Sequence, residues 1–121
     1  MSEIFTFGSN EAGRHGAGAA LHARRHHGAI YGIGVGLQGE SYAIPTRDKN
    51  LNTLPIPTIK AYVNEFIEFA NNNPMLTFKL TRVGCGLAGY VDSEMAPLFK
   101  LCPKNCIIPV EWEPIIRNQN V

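Results

Sequence analysis

Two glycine-rich turns, each set between a β-prone run and a helix-prone segment, constrain this chain more than any other feature. The first runs from Gly8, Ser9 and Asn10 to Gly16, Ala17, Gly18 and Ala19, after Ile4, Phe5, Thr6 and Phe7. The second is Gly84, Cys85, Gly86, Leu87, Ala88, Gly89 and Tyr90, between the apolar run 76–83 and a short helix signal at Asp92. Strand, turn and helix in that order form part of a βαβ unit, and its recurrence predicts an α/β fold around a mostly parallel sheet. Ligands of such sheets collect beyond the carboxyl ends of the strands, where both turns fall.

Between the turns the pattern keeps alternating. Residues 16–27 have the small, helix-forming composition of Ala17, Ala19, Ala20, Leu21 and Ala23, with Gly28 as the stop. A brief strand at 29–31 is followed by 32–39, where Gly32, Gly34, Gly36 and Gly39 predict a specially shaped loop. Residues 41–44 read as a strand ended by Pro45, and 47–57 as a polar connection. The clearest helix spans 59–70, where Ile59, Tyr62, Val63, Phe66, Ile67 and Ala70 recur at spacings of three and four. A strand at 76–83, a helix at 92–100 capped by Asp92 or Ser93 and weakened by Pro97, a strand at 107–112 and a tail at 115–121 complete the expectation.

A length of 121 residues fits one domain, 1–121, and no repeat or linker divides it. The net charge of +1 gives no global reason to bind nucleic acid or a membrane surface, so an anion has to be held locally. No run approaches the ~20 apolar residues of a membrane span, and the first residues lack the pattern of a secretion signal, which predicts a cytoplasmic protein. Cys85, Cys102 and Cys106 have neither CxxC spacing nor an even count, so they read as reduced thiols. His22 and His26 share a helix face without the further ligands that zinc requires, and no metal or cofactor is expected.

The chemistry of the turns favours phosphate. Glycines leave backbone N–H groups open to close approach, and a helix start adds partial positive charge. The amide of Asn10 is suited to ribose hydroxyls, and Arg14 adds charge. His15 is able to act as an acid, a base or a phosphate ligand, although a loop histidine without a task is the commoner case. Cys85 sits between glycines with no histidine beside it in sequence, and reads as a small apolar side chain rather than a nucleophile.

The segments HGAGAALHAR and TRVGCGLAGY, with SYAIPT between them, resemble the macrodomain family of ADP-ribose readers and erasers, in particular the compact branch that removes ADP-ribose from carboxylate side chains. The resemblance spans roughly residues 5–112, and its specific part lies in the two loops. It implies a three-layer α/β/α sandwich with ADP-ribose across the carboxyl ends of the strands. By position, Asn10 would lie near the distal ribose and Gly16 to Ala19 at the diphosphate, with Gly8 and Ser9 also among the ligand-binding residues. Gly84 to Tyr90 would close over both, with Tyr90 stacked on the sugar. The partners implied are ADP-ribose, a related nucleotide, or an ADP-ribosylated protein.

The departures concern catalysis. Where the compact branch has an aspartate after its GCGL run, this chain has Ala88, and near the place of the family's lysine it has Arg47, with Lys49 two residues on. Alanine carries no proton, and an arginine stays protonated. Asp48, Lys49, Asp92 and His15 remain as substitute candidates. The leading expectation is therefore a binding module for ADP-ribose or a related nucleotide diphosphate sugar, with hydrolysis optional. The alternatives are an interaction module with a vestigial cleft and a hydrolase of another phosphorylated metabolite.

Overall fold

The computed structural model describes residues 3–117; the remainder of the expected tail, 118–121, lies outside the described residues. Five strands form one sheet in the order β2-β3-β1-β4-β5. They are β1 (Glu3–Asn10), β2 (Gly36–Gln38), β3 (Ser41–Arg47), β4 (Thr77–Leu80) and β5 (Cys106–Ile107). β1 is parallel to both β3 and β4, and β4 is parallel to β5; only the edge strand β2 is antiparallel. The helices are α1 (Gly18–His26), α2 (Ile56–Asn72), α3 (Asp92–Met95) and α4 (Glu113–Arg117). The α/β class with a mostly parallel sheet is as expected.

Period-two alternation sends successive side chains of the central strands to different cores. Ile4 of β1 and Tyr42 and Ile44 of β3 join Ile59, Val63, Phe66 and Ala70 of α2 in the larger one. Phe7 and Ala43 join Ala20 and Ala23 of α1 in the smaller. Phe66 is fully buried, with its ring 5.0 Å from Tyr42 and 5.3 Å from Phe78. Truncating a buried aromatic of this kind to alanine costs about 3–5 kcal/mol.

Several expected boundaries move. β1 does not stop at Phe7, because Gly8, Ser9 and Asn10 stay in register with β3, with an irregularity between Ser9 and Asn10. α1 begins at Gly18 rather than Gly16, since Gly18 itself takes φ +57°. Residues 29–31 are not a strand; β2 forms inside the segment expected to be a loop, where Gln38 pairs with Ser41. Pro45 lies within β3 instead of ending it. β2 pairs only as far as Ala43, so the missing N–H costs no ladder bond on that flank.

The second half is more irregular than its sequence suggests. β4 covers 77–80 of the expected 76–83. The expected helix over 92–100 is one α-helical turn continued by a 3-10 segment, Ala96–Phe99, with Pro97 at its start. Its cap is the backbone of Val91, whose N–H donates to the Glu94 carboxylate at 3.0 Å, and not Asp92 or Ser93. Of the strand expected at 107–112, only Ile107 is paired; Trp112 ends a 3-10 turn and is fully buried. Ile115 and Ile116, expected in a tail, belong to α4, and Ile116 is buried. Among the described residues, no helix is long and apolar enough to cross a membrane.

Candidate functional site

The carboxyl ends of β1, β3 and β4 lie side by side because the three strands are parallel neighbours. After β1 the chain turns into α1, which feeds the smaller core, whereas after β4 it turns towards α3, whose Met95 feeds the larger one. Adjacent strands whose connections diverge leave a crevice between them, the usual ligand position in an open α/β sheet. A cleft of about 430 Å³ occupies this point. Its volume falls within the range of small-molecule sites, roughly 300–1,000 Å³.

Both glycine turns reach the cleft. The first contributes Gly8, Ser9, Asn10, Ala17, Gly18 and Ala19, and the second contributes Gly84, Cys85, Gly86, Leu87 and Ala88. The two turns pass close to each other: a Cβ on Gly8 would stand 3.4 Å from the Gly84 nitrogen, at van der Waals contact. Gly84 has φ +81°, and a Cβ on it would lie 2.7 Å from Met95 Cε, so only glycine fits. Gly86 is different, since a Cβ there meets open space.

The second loop is built to hold its shape. Tyr90 N–H donates to Gly84 O and Gly89 N–H to Gly86 O, each at 3.0 Å. Thr53 Oγ1 donates to Ala88 O at 2.9 Å, and Tyr90 Oη donates to Leu54 O at 2.7 Å. Those bonds fix Tyr90 against the larger core, and neither it nor Gly89 lines the cleft, so the expected stacking of Tyr90 on a sugar has no support in its position.

The expected polar contacts of the first turn are largely used by the protein itself. Ser9 Oγ donates to Gly34 O at 2.5 Å. Asn10 is buried; its Oδ1 accepts from Arg14 N–H at 2.9 Å, and its Nδ2 donates to Arg14 O at 3.0 Å. Gly16 stands clear of the cleft. His15 is fully buried between Phe7, 5.4 Å away edge to face, and the glycine-rich segment. Its Nε2 faces two acceptors, Ile33 O at 2.9 Å and Gln38 Oε1 at 3.1 Å, so Nε2 carries the proton while Nδ1 is left without a partner. The residue is a structural pin for the segment leading to β2 and does not line the cleft.

The remaining catalytic candidates also lie off the cleft. Asp48 organises a turn, accepting from Asn50 N–H at 2.8 Å and Asn52 N–H at 2.9 Å, and these backbone donors, Asn52 first, lower its carboxyl below the usual range. Lys49 is exposed in that turn. Asp92 takes Nε and Nη2 of Arg82 at 2.9 and 2.8 Å, and its Oδ1 also accepts from Trp112 Nε1 at 2.8 Å. Arg82 and then Trp112 hold it down to about 2, so it remains ionised and is no general acid near neutrality. Cys85 does line the cleft, yet burial and then Asp92 push its thiol up to about 11, which removes it as a nucleophile.

What the cleft offers instead is positive charge. Arg14 and Arg47 line it with Thr46 and Thr81; Arg82 lines it too, with its charge met by Asp92, and none of the lining residues is acidic. α1 points its first turn at the same space; Ala17 provides no side-chain cap, and the turn contains no acidic residue. The initial N–H groups of a helix have no intrahelical acceptor, so they are available to a ligand. The threonines and the arginine cluster carry no sequence signature, because three strands bring them together from separate parts of the chain.

No protein-family profile and no curated protein matches the sequence. Among solved structures, a protein of unknown function from Bacteroides thetaiotaomicron is similar, with a TM-score of 0.57 over 83% of this chain and 80% of that one, at 16% identity. At that identity the likeness concerns the fold alone.

Proposed function

We propose that this cleft binds ADP-ribose or a related nucleotide diphosphate sugar, free or attached to a protein, in a macrodomain-like α/β/α arrangement. The observation that carries the reading is the convergence of Arg14, Arg47, an uncapped helix start and two glycine turns on one cleft without a lining carboxylate. A diphosphate would lie between the first turn of α1 and the loop from Gly84 to Ala88, where backbone donors and guanidinium groups are suited to its oxygens. Binding without turnover is favoured over hydrolysis, because Asp48, Lys49, Asp92 and His15 all stand off the cleft and Ala88 offers no proton.

Calorimetry with ADP-ribose, AMP and ATP tests the proposal. Saturable heat with ADP-ribose, weaker with AMP, is expected. An absence of heat with all three at millimolar ligand would leave the cleft vestigial and favour an interaction module.

A further inference from the structure

The second half of α1 and the residue after it carry His22, His26 and His27, and the fold turns two of these imidazoles towards each other. Nε2 of His22 and Nε2 of His27 stand 3.3 Å apart at an exposed position. The His26 ring lies 4.7 Å from that of His22, yet the nitrogen contact is made by His27, past the end of the helix. Phe5 of β1 holds both rings of the pair: His27 stacks on it at 4.4 Å with 9° between the planes, and His22 lies tilted against it at 5.2 Å. The backbone of His27 is fixed as well, its N–H donating to Ala23 O at 2.8 Å and its C=O accepting from Glu40 N–H at 2.9 Å.

We propose that His22 and His27 bind a zinc ion through their Nε2 atoms. Bonds from zinc to imidazole are about 2.0–2.1 Å long, and two of them at the tetrahedral angle set their nitrogens about 3.3–3.4 Å apart. The pair already has that separation. At a right angle, as in square-planar or octahedral coordination, the same bonds would need about 2.9 Å, so the spacing favours a tetrahedral ion. Glu40 and Glu3 add negative charge near His27, which suits a cation.

Among the described residues no third His, Cys, Asp or Glu joins the pair in a metal-holding group, so the remaining tetrahedral positions go to solvent. Without the ion, one ring donates its Nε2 proton to the other. With it, both rings carry their proton on Nδ1 and turn an Nε2 lone pair to the metal; the donor ring changes tautomer and no net proton is released. Because Phe5 aligns the two rings only in the folded chain, the ion binds the native state preferentially and stabilises it. Neither histidine lines the cleft, so nucleotide binding plays no part in the site.

The test titrates the untagged full chain, stripped with EDTA, with zinc chloride at neutral pH and follows the histidine ring nitrogens by heteronuclear NMR. Saturable shifts at Nε2 of His22 and His27 with sub-millimolar zinc are expected, together with a higher melting temperature that EDTA reverses. His22→Gln and His27→Gln, each checked for a native amide spectrum, are expected to lose saturation at the same zinc concentrations, whereas His26→Gln keeps it. Unmoved ring nitrogens in the wild type, or saturation retained in both His22→Gln and His27→Gln, would overturn the proposal.

Discussion

Asn10 grips the backbone of Arg14 on both sides, accepting from its N–H at 2.9 Å and donating to its C=O at 3.0 Å. A buried amide at the end of β1 thereby sets the course of the loop that brings an arginine to the cleft. Replacing Asn10 with Ala removes both bonds. The expected loss is about 1–3 kcal/mol, since Arg14 N–H loses its acceptor and Arg14 O keeps only the Gly16 N–H. A lowered urea midpoint at unchanged slope checks it, and Asn10→Asp, which keeps only the acceptor, is expected to fall between.

Gly84 and Gly86 are predicted to behave oppositely. Gly84→Ala is strained by its positive φ and by Met95, and is expected to lower the melting temperature. Gly86→Leu meets no steric obstacle at its Cβ and is expected to keep the wild-type melting temperature while its side chain obstructs the cleft. Thermal unfolding of the two variants, followed by ADP-ribose titration of the second, separates loop architecture from ligand access.

Acid is predicted to act first through His27. Burial, followed by His22 and His26, lowers its imidazole below 6.5 in the folded protein. A histidine lowered by folding contributes stability that is present above its unfolded value, and this is lost as pH falls from about 6.5 towards the folded value. Its ring stacks on Phe5 at 4.4 Å and lies 3.3 Å, Nε2 to Nε2, from His22. Melting temperatures between pH 8 and 5 are expected to decline more steeply in the wild type than in His27→Gln.

A second acid transition belongs to Asp92. Its folded carboxyl sits near 2 under the pull of Arg82 and Trp112, below the ~3.9 of an unfolded aspartate. The stabilisation is present above about 4 and lost as pH falls towards 2. Asp92→Asn is expected to flatten that part of the profile and to release Trp112 Nε1, visible as a change in tryptophan fluorescence.

The fold class was legible because local signals agreed with it. The apolar stripe from Ile59 to Ala70 could bury its face only as a helix, and the runs before both glycine turns could pair only as strands. Polar residues misled. Gly8, Ser9 and Asn10 look like a loop but extend β1, since Ser9 and Asn10 satisfy their side chains on Gly34 and Arg14. His15 and Asp92 resemble free acids or bases in sequence, whereas each is committed to partners 18 or more residues away, Ile33 and Trp112. The cleft's glycine loops were readable; its convergence of Arg14, Arg47 and Arg82 required the parallel order of three strands.

The central claim is tested most directly by amide NMR during titration with ADP-ribose. Saturable shifts concentrated at Ala17 to Ala20 and Gly84 to Ala88, absent in Gly86→Leu, are predicted. Unmoved signals at millimolar ligand, or shifts confined to surfaces away from these two loops, would contradict it.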